Sequence, residues 1–211
     1  MEKMNKTMRT WLLCLYTLLP LASLAQCGIE NTAFKSGESL SYELFFNWKF
    51  IWMRVGTAQM DTKMTKFEGK DAWMSYLITR GNEKLDKYFT MRDTLLSYCN
   101  PDLSPLYFRK GAREGDRYYV DELWYFYPRN HCRLRMHRID ADGEQDRKTI
   151  TYKDCVYDMM NIFLRVRNFD ASKLNEGDVI PMPIYDAKRL SNSRLKYRGK
   201  ETFKIDGTKE K

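Results

Sequence analysis

Residues 151–168, TYKDCVYDMMNIFLRVRN, make up the one long run of this chain whose side chains recur at a helical period. At roughly 100° per residue, Tyr157, Asp158, Asn161 and Arg165 collect on a narrow polar arc. Cys155, Val156, Met159, Met160, Ile162, Phe163, Leu164 and Val166 occupy most of the remaining circumference. A surface helix carries a narrower apolar stripe, so this one is expected to be covered on more than one side. Asp154 is placed to cap the first turn, and Arg165 and Arg167 suit the negative end of the dipole. A helix at about 154–168 therefore needs a wrapper. The wrapper must be strands, because little else in the chain has a helical period.

Strand patterning fills the rest. Leu40, Tyr42, Leu44, Phe46 and Trp48 alternate with polar residues at the period of two expected of a half-buried strand. Further strands are predicted over 50–60, 71–80, 92–98, 105–113, 116–127, 131–139 and 147–152. Turn signals separate them: Glu68-Gly69, Asn100-Pro101-Asp102, Glu114-Gly115-Asp116, Pro128-Arg129-Asn130 and Asp142-Gly143. Connections this short impose antiparallel neighbours. Gly56 and Ala58 share one face and permit a sharp bend or a close approach. The expected fold is mainly β: a curved antiparallel sheet, half-barrel-like, enclosing one helix.

After the helix, Pro181 and Pro183 remove two donors from the same edge of a strand, which places that strand at the outside. A last strand is expected over 194–205, followed by the hairpin signal Asp206-Gly207 and four further residues. That strand would lack a partner. The single domain over 26–211 is thus expected to be missing C-terminal strands, with oligomerisation through an unpaired edge as the consequence.

The first 25 residues have the pattern of an export signal. Lys3, Lys6 and Arg9 precede an apolar run too short to span a bilayer, and Ser23 and Ala25 suit cleavage before Gln26. The rival reading is a lipoprotein acylated on Cys27, disfavoured by Gln26, since a small residue normally precedes a lipidated cysteine. Of five cysteines Cys14 leaves with the leader. Cys27, Cys99, Cys132 and Cys155 remain for a compartment that permits disulfides, with three pairings open. Cys155, within the helical run, reads as a small apolar filler. The net charge of +8 falls to +6 once the leader, with Lys3, Lys6, Arg9 and Glu2, is removed, and a basic exported chain does not point to nucleic acid as a partner. It leaves an anionic glycan, a lipid head group or an envelope protein.

Several motifs occur together in order: Gly37-Glu38-x-Leu40-x-Tyr42, Val55-Gly56-x-Ala58, Arg92-Asp93 through Ser97-Tyr98, and Glu114-Gly115 before a long strand. Tyr157-Asp158 leading to Phe163-Leu164-Arg165, and Gly177-Asp178 before the proline strand, complete the set. In this the chain resembles the secreted bacterial domain-of-unknown-function family DUF3108. The resemblance implies an exported, predominantly antiparallel β domain with one packed helix, in the periplasm or outer envelope. It implies no activity. It also implies further strands beyond the point where this sequence stops.

No catalytic or cofactor motif is present: no G-x-S-x-G, H-E-x-x-H, P-loop or dinucleotide fingerprint. His131 and His137, six apart on one strand and hence about 20 Å from each other, do not share a metal. Glu122 stands in register with Tyr118, Val120, Trp124 and Phe126. It is either an acid of raised pKa or, more simply, the partner of an arginine on a neighbouring strand. Base and aromatic residues interleave from Tyr107 to Arg138, and Tyr125, Tyr127, Arg133 and Arg135 join Glu122 as candidate binding residues, since stacking and bidentate arginine contacts suit acidic glycans and head groups. The expected role is a non-enzymatic binding or structural module of the envelope, without metal or cofactor. The alternatives are a hydrolase of envelope glycan or lipid, and a periplasmic lipid carrier. The helix argues against the carrier, because it would fill the concavity a lipid needs.

The leader reading predicts an intact mass beginning at Gln26 in protein recovered from an exporting host. A diacylated Cys27 in the same spectrum would establish the lipoprotein reading instead.

Overall fold

The computed structural model describes residues 27–49 and 51–202; the leader and Asp206-Gly207 lie outside them. Eight strands follow one another as a meander: β1 (Glu38–Trp48), β2 (Ile51–Phe67), β3 (Lys70–Gly81), β4 (Met91–Cys99), β5 (Pro105–Glu114), β6 (Arg117–Phe126), β7 (Cys132–Ile139) and β8 (Gln145–Tyr152). Every neighbouring pair is antiparallel and the order across the sheet is the order in the chain, with β1 and β8 at its two edges. All eight coincide with stretches of period-two patterning. At Glu68 and Gly69 φ is 50° and 79°, the doubly left-handed conformation of a tight hairpin between Phe67 and Lys70.

Gly56 is required by close approach. A Cβ there would stand 2.3 Å from the Arg80 carbonyl oxygen. Just beyond it the β1–β2 register skips Val55, pairing Leu44 with Gly56 and Phe45 with Arg54. Such a bulge bends a strand and strengthens its twist. Because β3 ends at Gly81, opposite Gly56, the β1–β2 hairpin past the bulge has no third strand beside it.

One α-helix packs on the concave face, as the curved-sheet reading expects. It is shorter than 154–168: α1 covers Met159–Arg167, and its cap is Asp158 rather than Asp154. Two connections hold the preceding residues extended. Cys155 is disulfide-bonded to Cys27, so it is not a filler. Tyr157 forms a parallel bridge to Ile184. Cys99 and Cys132 are free and buried.

The helix is also rolled so that its polar arc faces inward beside part of its apolar one. Asp158, Asn161 and Arg165, members of the polar arc, are buried, while Phe163 is 58% and Met159 38% exposed. Each of these side chains has a particular partner, while Asn161 Oδ1 and Arg165 Nε have none among the described residues. Asp158 accepts from Asn161 N at 2.7 Å and Ser97 Oγ at 3.2 Å, and Asn161 Nδ2 donates to the Leu103 carbonyl at 2.9 Å. Arg165 Nη1 donates to the Cys27 carbonyl at 2.6 Å. Between these polar posts Val156, Met160 and Leu164 enter the core formed by Trp73, Leu95, Phe108, Leu123, Leu134 and Met136. The helix is thus covered on one side only.

The N-terminal segment is tied to the same element. Thr32 N and Ala33 N donate to Asn168 Oδ1, Phe34 packs edge-on to Trp73, and the Cys27–Cys155 bond closes the whole sheet between its ends. Closing a loop of sequence separation 128 removes denatured-chain entropy worth roughly 4–5 kcal/mol in the chain-entropy account.

After the helix come β9 (Val179–Pro181), β10 (Ile184–Tyr185), β11 (Leu190–Ser191) and β12 (Arg194–Lys196). The proline strand is short and peripheral, as its chemistry requires. The expected long, unpartnered strand over 194–205 is instead the three-residue β12, and it pairs with β9. Met182 N donates to Ser193 O at 2.9 Å, so Pro181, opposite Arg194, stands at a position of the ladder that calls for no donor towards β12. The described part of this segment therefore leaves no long bare edge.

Two substitutions one turn apart report the helix's orientation. Met160→Asp places a carboxylate in the core and is expected to cost about 3 kcal/mol or more. Phe163→Asp, on the open side, should melt within a few degrees of the parent in the same calorimetric scan. Asp158 provides a second check. Burial raises its carboxyl pKa to about 7, offset only in part by the Asn161 N–H and the Ser97 hydroxyl. The folded state therefore holds a proton that the unfolded chain releases near pH 4. Stability should fall as pH rises between roughly 4 and 7, at up to about 1.4 kcal/mol per pH unit, and level off above. Asp158→Asn keeps a capping acceptor, and denaturant titrations should find this fall removed.

Candidate functional site

Strand parity divides the predicted binding residues between two faces. Glu122, Arg133 and Arg135 stand on the outer, convex face, where Phe126 pairs with Arg133, Trp124 with Arg135 and Glu122 with His137. Tyr125 and Tyr127 do not join them. Tyr125 is buried in the core, and the Tyr127 hydroxyl donates to the Pro105 carbonyl at 2.8 Å. On the outer face an aromatic ladder runs Phe67, Tyr98, Tyr107, Trp124, with successive ring centroids 4.8, 6.4 and 5.3 Å apart. Arg135 ends it, its guanidinium 4.8 Å from the Trp124 ring. Among the described residues Glu122 makes no ion pair with an arginine, although Arg109 stands opposite it on β5. Its carboxylate accepts from Tyr107 Oη at 2.6 Å and lies 3.1 Å from His137 Nδ1, and His137 Nε2 lies 3.2 Å from Gln145 Oε1. Burial and this carboxylate together push the Tyr107 phenol pKa upward. Beside the ladder is a shallow cleft of about 350 Å³ lined by Trp124, Arg135, His137, Arg147 and Thr149. Its polar groups can meet a ligand anion, but it is open and shallow.

The concave face offers a different kind of space. Leu40, Tyr42 and Leu44 of β1, Ala58 and Met60 of β2, and Leu77 and Thr79 of β3 form one wall of a groove. Ile162, Phe163 and Val166 of the helix form the other, giving about 660 Å³. That volume lies within the roughly 300–1,000 Å³ typical of small-molecule sites. Its charged members, Glu43 and Arg167, are engaged elsewhere: Arg167 makes a bidentate pair with Glu38 at 2.6 and 2.7 Å, and Glu43 pairs with Arg54 at 2.9 Å. At the inner end Thr79 stands opposite Asp93, and buried Thr79 Oγ1 and Asp93 Oδ1 have no hydrogen-bond partner among the described residues. Burial raises the Asp93 pKa. A somewhat larger depression, about 790 Å³, lies between the Cys155 loop and β9 and β12. Its walls are a loop and two three-residue strands, whereas the groove is built on the long strands and the helix.

The family described as Protein of unknown function (DUF3108) matches residues 41–211. The chain belongs to the DUF3108 family. No curated protein and no solved structure matches it. In this DUF3108 domain the motifs that carry the resemblance have structural tasks. Gly37 takes a φ of 91°, Glu38 holds Arg167, Gly56 admits the Arg80 carbonyl, and Asp158 caps the helix. Arg92 forms an ion pair with Asp86 across the β3–β4 connection. The groove residues flank these positions on both sides.

Among the described residues neither free cysteine of the DUF3108 domain reaches either surface. Cys99 and Cys132 are buried, and burial pushes both thiols upward. Cys132 and His137 sit on opposite faces of β7, as their odd separation requires. Among the described residues no cluster of three or more His, Cys, Asp or Glu side chains could hold a metal. The groove was missed by strand-by-strand patterning. Its signal was the excess width of the helix's apolar arc, more than one packing face consumes.

Proposed function

We propose that this domain is a non-enzymatic binding module of the cell envelope that receives the acyl chain of a lipid in the concave groove. The observation that carries the reading is the outward rotation of the helix. Part of its apolar arc, Ile162, Phe163 and Val166, faces the apolar strands β1–β3 across an open channel, while Met160 and Leu164 enter the core. The helix is seated over β4 and reduces the concavity without filling it, so the objection to a lipid ligand drawn from the sequence loses its basis. Envelope residence is supported by the Cys27–Cys155 bond, since disulfides persist in oxidising compartments. The same bond leaves Cys27 without a thiol for acylation, which favours a simple cleaved leader. Buried, proton-retaining thiols and the lack of a nucleophile–base pair weigh against the hydrolase alternative.

A fluorescent polyene fatty acid titrated into purified protein should bind saturably, at one per chain. Phe163→Asp should weaken that binding at least tenfold, about 1.4 kcal/mol, without moving the melt. Absence of saturable binding at micromolar protein, or equal binding by the variant, would sink the groove as a lipid site.

A further inference from the structure

The β1–β2 hairpin beyond the Val55 bulge is the most exposed apolar element among the described residues. Its sequence over 45–53 is FFNWKFIWM. Phe45 is 52% and Phe46 54% exposed, and Ile51 and Met53 are also exposed. Successive strand residues point to opposite faces, so Phe45 and Phe46 present apolar surface on both sides of the same ribbon. Pairing runs on from Phe45–Arg54 to Trp48–Ile51, which carries the tip roughly 13 Å past the last three-stranded row at ~3.3 Å per residue.

The same end of the sheet bears further apolar surface. Gly56 pairs with Gly81, and the chain then runs through 82–90, where Tyr88 is 76% exposed and Phe89 lies over Gly115 of the β5–β6 turn. Cations stand around this rim. Lys49 lies at the tip, Lys84 and Lys87 in the β3–β4 connection and Arg117 at the start of β6, against the exposed acids Glu83 and Asp116. Leu44, the last residue before the bulge, also lines the groove. The protruding tip and the groove therefore share one end of the molecule.

We infer that this hairpin tip docks the protein on a lipid bilayer, inserting Phe45, Phe46, Ile51 and Met53 into the head-group and acyl boundary of an anionic membrane. A protein partner or a second copy would cover one face of the ribbon or one strand edge. Immersion in lipid covers both faces at once. Interfacial segments bury about 5–10 Å below the surface, within the reach of the overhang, and Trp and Tyr favour this depth. The basic rim meets the negative charge of anionic head groups, each such cation being worth about 1 kcal/mol near the surface. Docked this way, the mouth of the groove at Leu44 faces the membrane that supplies an acyl chain. The docking stands on the tip's own exposure and charge; only its use for lipid transfer rests on the groove reading.

Vesicle flotation tests it, with phosphatidylcholine alone and with phosphatidylcholine–phosphatidylglycerol mixtures. The parent protein should float with vesicles, more with the anionic mixture and less at high salt. Phe45→Ser combined with Phe46→Ser should lower partition at least tenfold while melting normally and still binding the fatty-acid probe in solution. Phe163→Asp should float like the parent, so loss of probe binding and loss of docking are scored separately. The inference is overturned if the parent stays in the soluble fraction with both compositions, or if the double variant floats equally. It is also overturned if light scattering finds a dimer that the double variant abolishes, without flotation.

Discussion

The hydrogen bonds that seat the helix's polar arc against the sheet determine most of what surrounds it. Asp158, Asn161, Arg165 and Asn168 face inward, and each meets a particular partner: the Ser97 hydroxyl, the Leu103 carbonyl, the Cys27 carbonyl, and the amides of Thr32 and Ala33. A buried polar group left alone costs several times what a satisfied one gains. Rotating the helix by half a turn would strand all of these at once, a larger penalty than the hydrophobic gain from burying Phe163 and Met159. The polar seam therefore sets the roll of the helix: Met160 and Leu164 stay in the core, while Phe163 and Met159 are turned outward.

That choice creates the groove. The N-terminal segment held by Asn168 and the disulfide occupies one flank of the helix, and Phe34 fills the space above Trp73. The other flank is left to β1–β3, where Leu40, Met60 and Leu77 meet Ile162, Phe163 and Val166 across open space. The ion pair between Arg167 and Glu38 pins the last turn of the helix to the start of β1 and fixes the width of the channel there.

Much of this was legible in the sequence. Period-two alternation and the turn dipeptides gave all eight strands of the meander, and the Gly56–Ala58 pair marked the place where β2 bends and the Arg80 carbonyl approaches. Parity put Arg133 and Arg135 on one face of their strand and Glu122 with Trp124 and Phe126 on one face of theirs; the register joins the two faces and removes Tyr125 from them. The rotation of the helix was not legible. Hydrophobic periodicity weighs side chains by transfer energy and assumes that polar ones seek water. Here the partners of the polar arc are backbone carbonyls and amides far away in sequence, 58 and 138 residues distant for Asn161 and Arg165. Nothing local announces them. The pairing of Cys27 with Cys155 was hidden for the same reason, since it depends on where the extended segment before Asp158 lies.

A row of residues read across the sheet explains why the groove lies on the β1–β3 side rather than the β5–β8 side. Leu40, Met60, Leu77 and Leu95 are successive partners, and the row continues as Lys110, Asp121, Arg138 and Asp146. The second half is already complete in itself. Lys110 donates to the Tyr119 hydroxyl, Tyr119 to Glu114, and Arg138 to Asp121, at 2.7 Å each. Asp121 is buried with Arg138 as its partner, so this half keeps its charges paired within the sheet. The first half has no such recourse, since its side chains gain only by contact with another apolar surface. The concave face thus has an apolar half that the helix meets incompletely and a charged half whose groups are paired with one another, and a ligand with a hydrocarbon chain gains its binding energy only on the first.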